Sequence, residues 1–238
     1  MKKTAITSIY PYIKNTKIIG KGKTSICFLM SDNRVLKLFL NTYYKKRLFK
    51  SNDNIINHFE KINSLKNDSY IVSEELLIKD KELIGYIYPY INGKTLHSID
   101  KKTNIELLIN SYDKLKEDTV LISNKKFVLN DMHDRNILFN YNYYIIDLDF
   151  GFFKDNDDSN KILNYNMYKI NNTIIHSLFN KYQDTIIEFI DNDLNNLYKE
   201  SIISNYNSIK LLLSELSKYN NTKNDLILKE KELIKVYK

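Results

Sequence analysis

The stretch Phe127-Val128-Leu129-Asn130-Asp131-Met132-His133-Asp134-Arg135-Asn136-Ile137-Leu138-Phe139 constrains this chain more than any other. A polar, acidic loop stands between two apolar runs. Tyr144-Ile145-Ile146-Asp147-Leu148-Asp149-Phe150-Gly151 follows, apolar until its aspartates. Short apolar runs bounded by turn chemistry read as strands, and a loop held by two strands is a place to present functional side chains. Asp147 and Asp149, two residues apart, are expected to share one face of a strand. A magnesium-nucleotide site needs few protein oxygens, because Mg²⁺ keeps waters and phosphate oxygens as ligands. An Asn and an Asp from adjacent strands meet that need, and a separate Asp can accept a proton from an attacking hydroxyl. A metal cluster of Asp131, His133 and Asp134 is disfavoured, because the four histidines are widely separated.

The rest of the chain divides into a strand-rich front and a helical back. Within 13–40, Ile18-Ile19, Ile26–Met30 and Val35–Leu40 read as strands, separated by Gly20-Lys21-Gly22-Lys23 and Ser31-Asp32-Asn33-Arg34. Residues 43–65 read as a helix, with Leu48, Ile55, Ile56, Phe59 and Ile62 at helical spacing. A hairpin is expected from Tyr70–Ile78 through Asp80-Lys81-Glu82 to Leu83–Tyr88, with Pro89 interrupting the pairing. Helices are expected over 104–122 and from about 161 onward, where Ile202, Ile203, Tyr206, Ile209, Leu212, Leu213 and Leu216 trace one face. The fold class is α+β.

Gly20-Lys21-Gly22-Lys23-Thr24-Ser25 lies between two strands, where glycines let backbone N–H groups approach phosphate oxygens. A Walker A loop is rejected: Lys17 stands where its first glycine belongs, and a strand follows rather than a helix. A glycine-rich lid in a β-hairpin is the alternative, with Ser25 in place of the third glycine. Lys37 sits in the apolar strand Val35–Phe39, where an ammonium must find an anion or snorkel. Glu60 is the leading acidic partner for it, being the only acid in 54–66.

Together these pieces resemble the protein-kinase-like superfamily, closest to the branch of aminoglycoside and choline kinases and their bacterial relatives. Asp131, then Asn136-Ile137-Leu138-Phe139, resembles the catalytic loop of that family, and His133 is typical of its small-molecule branch. The order of glycine turn, strand lysine, helix glutamate, hinge, catalytic loop and metal aspartate matches over residues 15–151. The resemblance implies a bilobal fold. Residues 1–91 would form a small antiparallel N-lobe with one helix, and 92–238 a mostly helical C-lobe. It implies ATP and Mg²⁺ as cofactors, with Gly20, Gly22, Ser25, Lys37 and Glu60 around the nucleotide. Tyr88–Gly93 would be the hinge, where the Pro89 carbonyl and the Ile91 N–H meet adenine. Asp131 would be the catalytic base, and Asn136 and Asp147 the metal ligands, with Asp149 as the alternative. The acceptor would be a hydroxyl of a small molecule or of a protein Ser/Thr. The chain departs from the family at Asn130, where the small-molecule branch has Gly and protein kinases Arg, and no Ala-Pro-Glu follows residue 151. These departures argue against a switchable eukaryotic-type protein kinase. The basic front segment and the lack of a large substrate-recognition insert keep open a pseudokinase that binds nucleotide or a partner without turnover.

Composition narrows the partners. Residues 1–50 hold twelve Lys/Arg and the single acid Asp32, within a chain of net charge +7. Such a front can face polyphosphate, nucleic acid or an anionic membrane, or be a solvated lysine-rich surface. Nothing resembles a zinc finger or an RNA-recognition motif, which argues against nucleic acid. No run of eighteen apolar residues is present, so no membrane span is expected. The N-terminus is a poor secretory signal, and the one cysteine, Cys27, excludes an internal disulfide. A reducing, cytoplasmic location is the expectation.

Overall fold

A computed structural model describes residues 1–40, 52–99 and 105–186. The chain is α+β and divides into two compact units, Met1–Asn92 and Gly93–Lys238. The first part of the helix expected over 43–65, residues 43–51 with Leu48, lies outside the described residues, as does the apolar face from Ile202 to Leu216.

Among the described residues the first unit is a six-stranded sheet with two helices. Its strands are β1 (Lys2–Ala5), β2 (Lys17–Lys21), β3 (Ser25–Leu29), β4 (Arg34–Phe39), β5 (Glu75–Lys79) and β6 (Glu82–Pro89), in the order β1-β5-β6-β4-β3-β2. β1 is parallel to β5 and all other pairs are antiparallel. Helix α1 (Tyr10–Ile13) is short, and α2 (Asn52–Asn63) lies between β4 and β5 in sequence. The pleat sends alternate side chains to opposite faces. Ile55 and Phe59 of α2 pack with Leu76, Leu83 and Tyr86 on one face. Leu36, Leu77 and Ile87 fill the other, covered by Ile6, Ile9, Tyr12 and Ile13. Asp80 and Lys81 both have positive φ, 50° and 64°, as a tight two-residue hairpin between β5 and β6 demands.

Two expectations change here. Tyr70–Val72 stands outside β5, which begins at Glu75. Pro89 does not interrupt β6; it is paired opposite Arg34. The next ladder bond runs from the Tyr90 N–H to the Asn33 carbonyl at 3.1 Å. Pro89 therefore occupies a non-hydrogen-bonded position towards β4, where its missing N–H costs no bond.

The second unit contains β7 (Lys94–Thr95), α3 (Ile105–Asn124), β8 (Phe127–Val128), β9 (Ile137–Asn140), β10 (Asn142–Ile145), β11 (Phe152–Phe153) and α4 (Ser159–Ile186). β10, β9 and β7 form one small sheet, and β11 pairs with β8 in another. Asp158 caps α4, its Oδ1 accepting from the N–H groups of Asn160 (2.8 Å) and Lys161 (3.1 Å). α3 packs against α4 and β10, burying Tyr112, Leu115, Ile170 and Ile174. No helix among the described residues is long and apolar enough to cross a membrane.

Candidate functional site

The candidate residues fall into two groups, one in each unit. In the first unit, β2 and β3 are joined by a tight turn in which the Gly22 N–H donates to the Ser25 carbonyl at 2.9 Å. Ser25 is buried at the start of β3. Neither Gly20 nor Gly22 has positive φ. A Cβ built on Gly20 would meet Cys27 Cβ at 3.7 Å, and one on Gly22 would meet the Ser25 carbonyl oxygen at 3.7 Å. Both are ordinary van der Waals distances, so the protein gives neither position a steric need for glycine.

Lys37 lies in β4, opposite Cys27 of β3 and Tyr86 of β6. It is 4% exposed, and its Nζ stands 5.6 Å from the centre of the Tyr86 ring, within cation–π range. Glu60 is not its partner, which corrects the expected pairing. Its Oε1 pairs with Lys3 Nζ at 2.7 Å, with both side chains nearly half exposed. The reason is helical register. Ile55, Phe59 and Ile62 point α2 at the sheet, and Glu60, one residue past Phe59, is rotated about 100° towards solvent. Pro89 ends β6, and Ile91 lies just beyond, its N–H without a partner among the described residues.

Among the described residues of this unit the buried carboxylate is Glu75, which no sequence pattern singles out. Thr4 Oγ1 donates to its Oε1 at 2.6 Å, Lys2 Nζ approaches at 3.4 Å, and Arg34 Nη1 donates to Oε2 at 3.3 Å. Burial pushes its pKa up, but the Thr4 hydrogen bond and the Lys2 and Arg34 charges outweigh burial and hold it below the usual glutamate range.

In the second unit the loop between β8 and β9 carries Asp131, His133, Asp134 and Asn136. Asn136 is 5% exposed and tied three times. Its N–H donates to the His133 carbonyl (2.9 Å), its carbonyl accepts from Ile146 N–H (2.9 Å), and its Nδ2 donates to the Asp131 carbonyl (2.8 Å). Those bonds commit the amide nitrogen and leave Oδ1 as the side chain's available acceptor. The Asp131 carboxylate is 45% exposed, and His133 Nε2 stands 4.0 Å from its Oδ2. That distance is too long for a hydrogen bond.

Asp147 and Asp149 do not lie on a strand face. β10 ends at Ile145; Asp147 takes the left-handed conformation (φ 64°, ψ 52°), and Asp149 sits in the 3₁₀ turn Leu148–Phe150. The left-handed residue breaks the alternation that a shared face requires. Asp147 is half-buried and Asp149 is 4% exposed. Gly151, next in the chain, is demanded by packing: a Cβ there would lie 2.2 Å from Phe127 Cζ.

Two supports of this loop escape a sequence reading. Asn166, fully buried on α4, accepts from the Leu129 N–H (2.8 Å) and donates to the Phe127 carbonyl (2.8 Å) and Ser123 Oγ (3.0 Å). His97 holds Asp134 twice, through Nδ1 to Oδ2 at 2.9 Å and through its N–H to the Asp134 carbonyl at 3.2 Å. The only local signal for Asn166 is its place in the stripe Ile162, Asn166, Ile170, Ile174, an amide where the spacing calls for a hydrophobe.

Among the described residues no three His, Cys, Asp or Glu side chains gather as a metal cage. A magnesium-phosphate site needs only one or two carboxylates from protein, so the donor set of Asn136 Oδ1 with Asp147 or Asp149 fits such an ion. No protein-family model matches the chain, and no curated protein matches it.

Proposed function

We propose that this chain is an ATP- and Mg²⁺-dependent phosphotransferase with a protein-kinase-like bilobal fold. It would move the γ-phosphoryl group to a hydroxyl of a small molecule or of a protein. The observation that carries the reading is the Asp131–Asn136 loop. One short loop holds an exposed carboxylate that accepts no hydrogen bond among the described residues, and a fixed amide whose oxygen is left over. Those are the two groups that hydroxyl activation and metal binding require.

Asp131 orients the attacking hydroxyl and takes its proton. Asn136 Oδ1 and the carboxylate of Asp147, or of Asp149, form the protein side of the metal site. Mg²⁺, when bound there, neutralises charge on the transferring phosphoryl group. The first unit serves the same reaction. Kinases carry a lysine on the third strand after a glycine-rich hairpin. With β1 set apart as an added edge strand, Lys37 stands on the third strand, after the turn at Gly20–Ser25. Its ammonium holds α- and β-phosphate oxygens. Gly20 and Gly22, which the protein itself does not need as glycines, give phosphates close access to the backbone. The Pro89 carbonyl and the Ile91 N–H meet the adenine edge.

Mg-ATP is expected to raise the melting temperature, and an ATP-consumption assay to show turnover on a hydroxyl acceptor. Asp131→Ala is expected to lower turnover by about 10²–10⁴-fold, the range of general-base catalysis, while keeping the Mg-ATP thermal shift. Turnover at the wild-type level in that variant would sink Asp131 as the base. The Glu60–Lys3 pair favours a second reading, a module that holds nucleotide without turning it over, because the glutamate expected to fix Lys37 is engaged elsewhere. Stabilisation by Mg-ATP with no consumption on any acceptor would select that reading.

A further inference from the structure

Between β11 and the first turns of α4 the second unit carries a groove of about 190 Å³. Its floor is apolar, made by Val128 and Ile162, both buried. Its walls are two aromatic rings, Phe152 and Tyr165, each about 40% exposed although hydrophobic. Its rim is cationic. Lys154 and Lys161 line it with the single carboxylate of Asp157. That carboxylate is already engaged by Lys154 Nζ at 3.0 Å, and Lys126 Nζ donates to the Asp157 carbonyl at 2.9 Å. Lys161 has no ion-pair partner among the described residues, so the side chains that line the groove carry one more positive than negative charge. Lys169, two turns further along α4, stands over the Tyr165 ring at 5.5 Å and extends the same field.

Volume, walls and rim together define an occupant. Drug-sized ligands fill pockets of roughly 300–1,000 Å³, so this groove suits a single ring with one substituent. Two partly exposed rings favour an aromatic body, and a lysine rim with a surplus of charge favours an anion. We propose that the groove binds a small aromatic anion, one ring carrying a phosphate or a carboxylate, with the ring between Phe152 and Tyr165 and the anionic group on Lys161 and Lys154.

Position gives the groove a role. Val128 is three residues before Asp131, and Phe152 is three after Asp149. Three residues of chain reach at most about 11 Å. A hydroxylated aromatic anion bound here is the acceptor class of the phosphotransfer reading; this clause rests on that reading, whereas the binding itself does not.

The test is calorimetric titration of the full chain with phenyl phosphate, without nucleotide or magnesium, so that failure of the kinase reading leaves the result intact. Phenyl phosphate is expected to bind at least about tenfold more tightly than inorganic phosphate or benzyl alcohol, and Lys161→Glu to weaken it by about tenfold. Circular dichroism checks that the variant folds, and Lys161→Gln stands in for it if not. Failure of phenyl phosphate to bind, equal binding of inorganic phosphate, or unchanged affinity in both Lys161 variants would overturn the proposal. The acceptor clause has its own readout: 4-hydroxybenzoate is expected to stimulate ATP consumption. Binding without stimulation would remove that clause and leave the groove.

Discussion

Gly22 and Gly151 flank the two halves of the proposed chemistry, and they are glycines for different reasons. At Gly151 a methyl group would enter the ring of Phe127, a residue with no exposed surface. At Gly22 the nearest atom outside its neighbours would sit 3.7 Å away, and the backbone has no positive φ to explain the choice. The contrast extends to the residues around them. Asn136 is fixed by three hydrogen bonds, and the strand leading to Asp131 is fixed from behind by Asn166. The turn at Gly20–Ser25 rests on ladder bonds and follows β2, an edge strand with Ile18 and Ile19 exposed. The second unit thus fixes its Asp131–Asn136 loop by internal packing, whereas the first carries its glycine turn at a sheet edge.

The most severe test of that contrast is Asn166→Ala. It strips partners from the Leu129 N–H and the Phe127 carbonyl, both buried. Unpaired buried groups cost about 1–3 kcal/mol each, so a loss of about 3 kcal/mol in urea denaturation is expected. Little change in stability would show that Asn166 does not hold the loop from behind.

Gly151→Ala comes next, with an expected loss of about 1–3 kcal/mol from overpacking against Phe127. Gly22→Ala, at a site whose conformation alanine can adopt, is expected to leave stability unchanged or raise it by up to about 1 kcal/mol. Its effect should instead appear as a smaller thermal shift with Mg-ATP. Equal destabilisation by the two alanines would erase the distinction between a glycine the fold needs and one it does not.

Much of this was legible because it follows from local periodicity. The apolar runs at 26–30 and 35–40 correspond to β3 and β4, each of which ends one residue earlier, and Ile55, Phe59 and Ile62 form the buried stripe of α2. The same stripe turns Glu60, the residue after Phe59, away from the sheet. Asp147 and Asp149 were misplaced because alternation cannot foresee a left-handed residue that ends a strand. β1 went unseen because Lys2-Lys3-Thr4-Ala5 carries no apolar pattern. Its pairing is decided by Glu75, more than seventy positions along the chain. Asn166 and His97 act through bonds to distant residues, and no window of sequence holds both partners.

Dependence on pH separates the units by the kind of force each uses. β1 is pinned to the first unit through an ionised Glu75, which takes a hydrogen bond from Thr4 and the charges of Lys2 and Arg34. The loop support in the second unit is an amide, Asn166, with nothing to titrate. A carboxylate whose pKa is lowered on folding contributes stability that is fully present above its unfolded pKa, and that is lost as pH falls through the folded value. Glu75 is such a group. Glu75→Gln is therefore expected to be less stable than wild type by about 1–2 kcal/mol at pH 6. That gap should shrink as the pH drops below the ordinary glutamate range and close in strong acid, where the carboxyl is protonated in the folded and unfolded chains alike. The gap between Asn166→Ala and wild type should stay constant over the same series of thermal melts. A Glu75→Gln gap that persists into strong acid would mean that shape rather than charge holds β1 to β5, and the two units would then be fastened by the same neutral means.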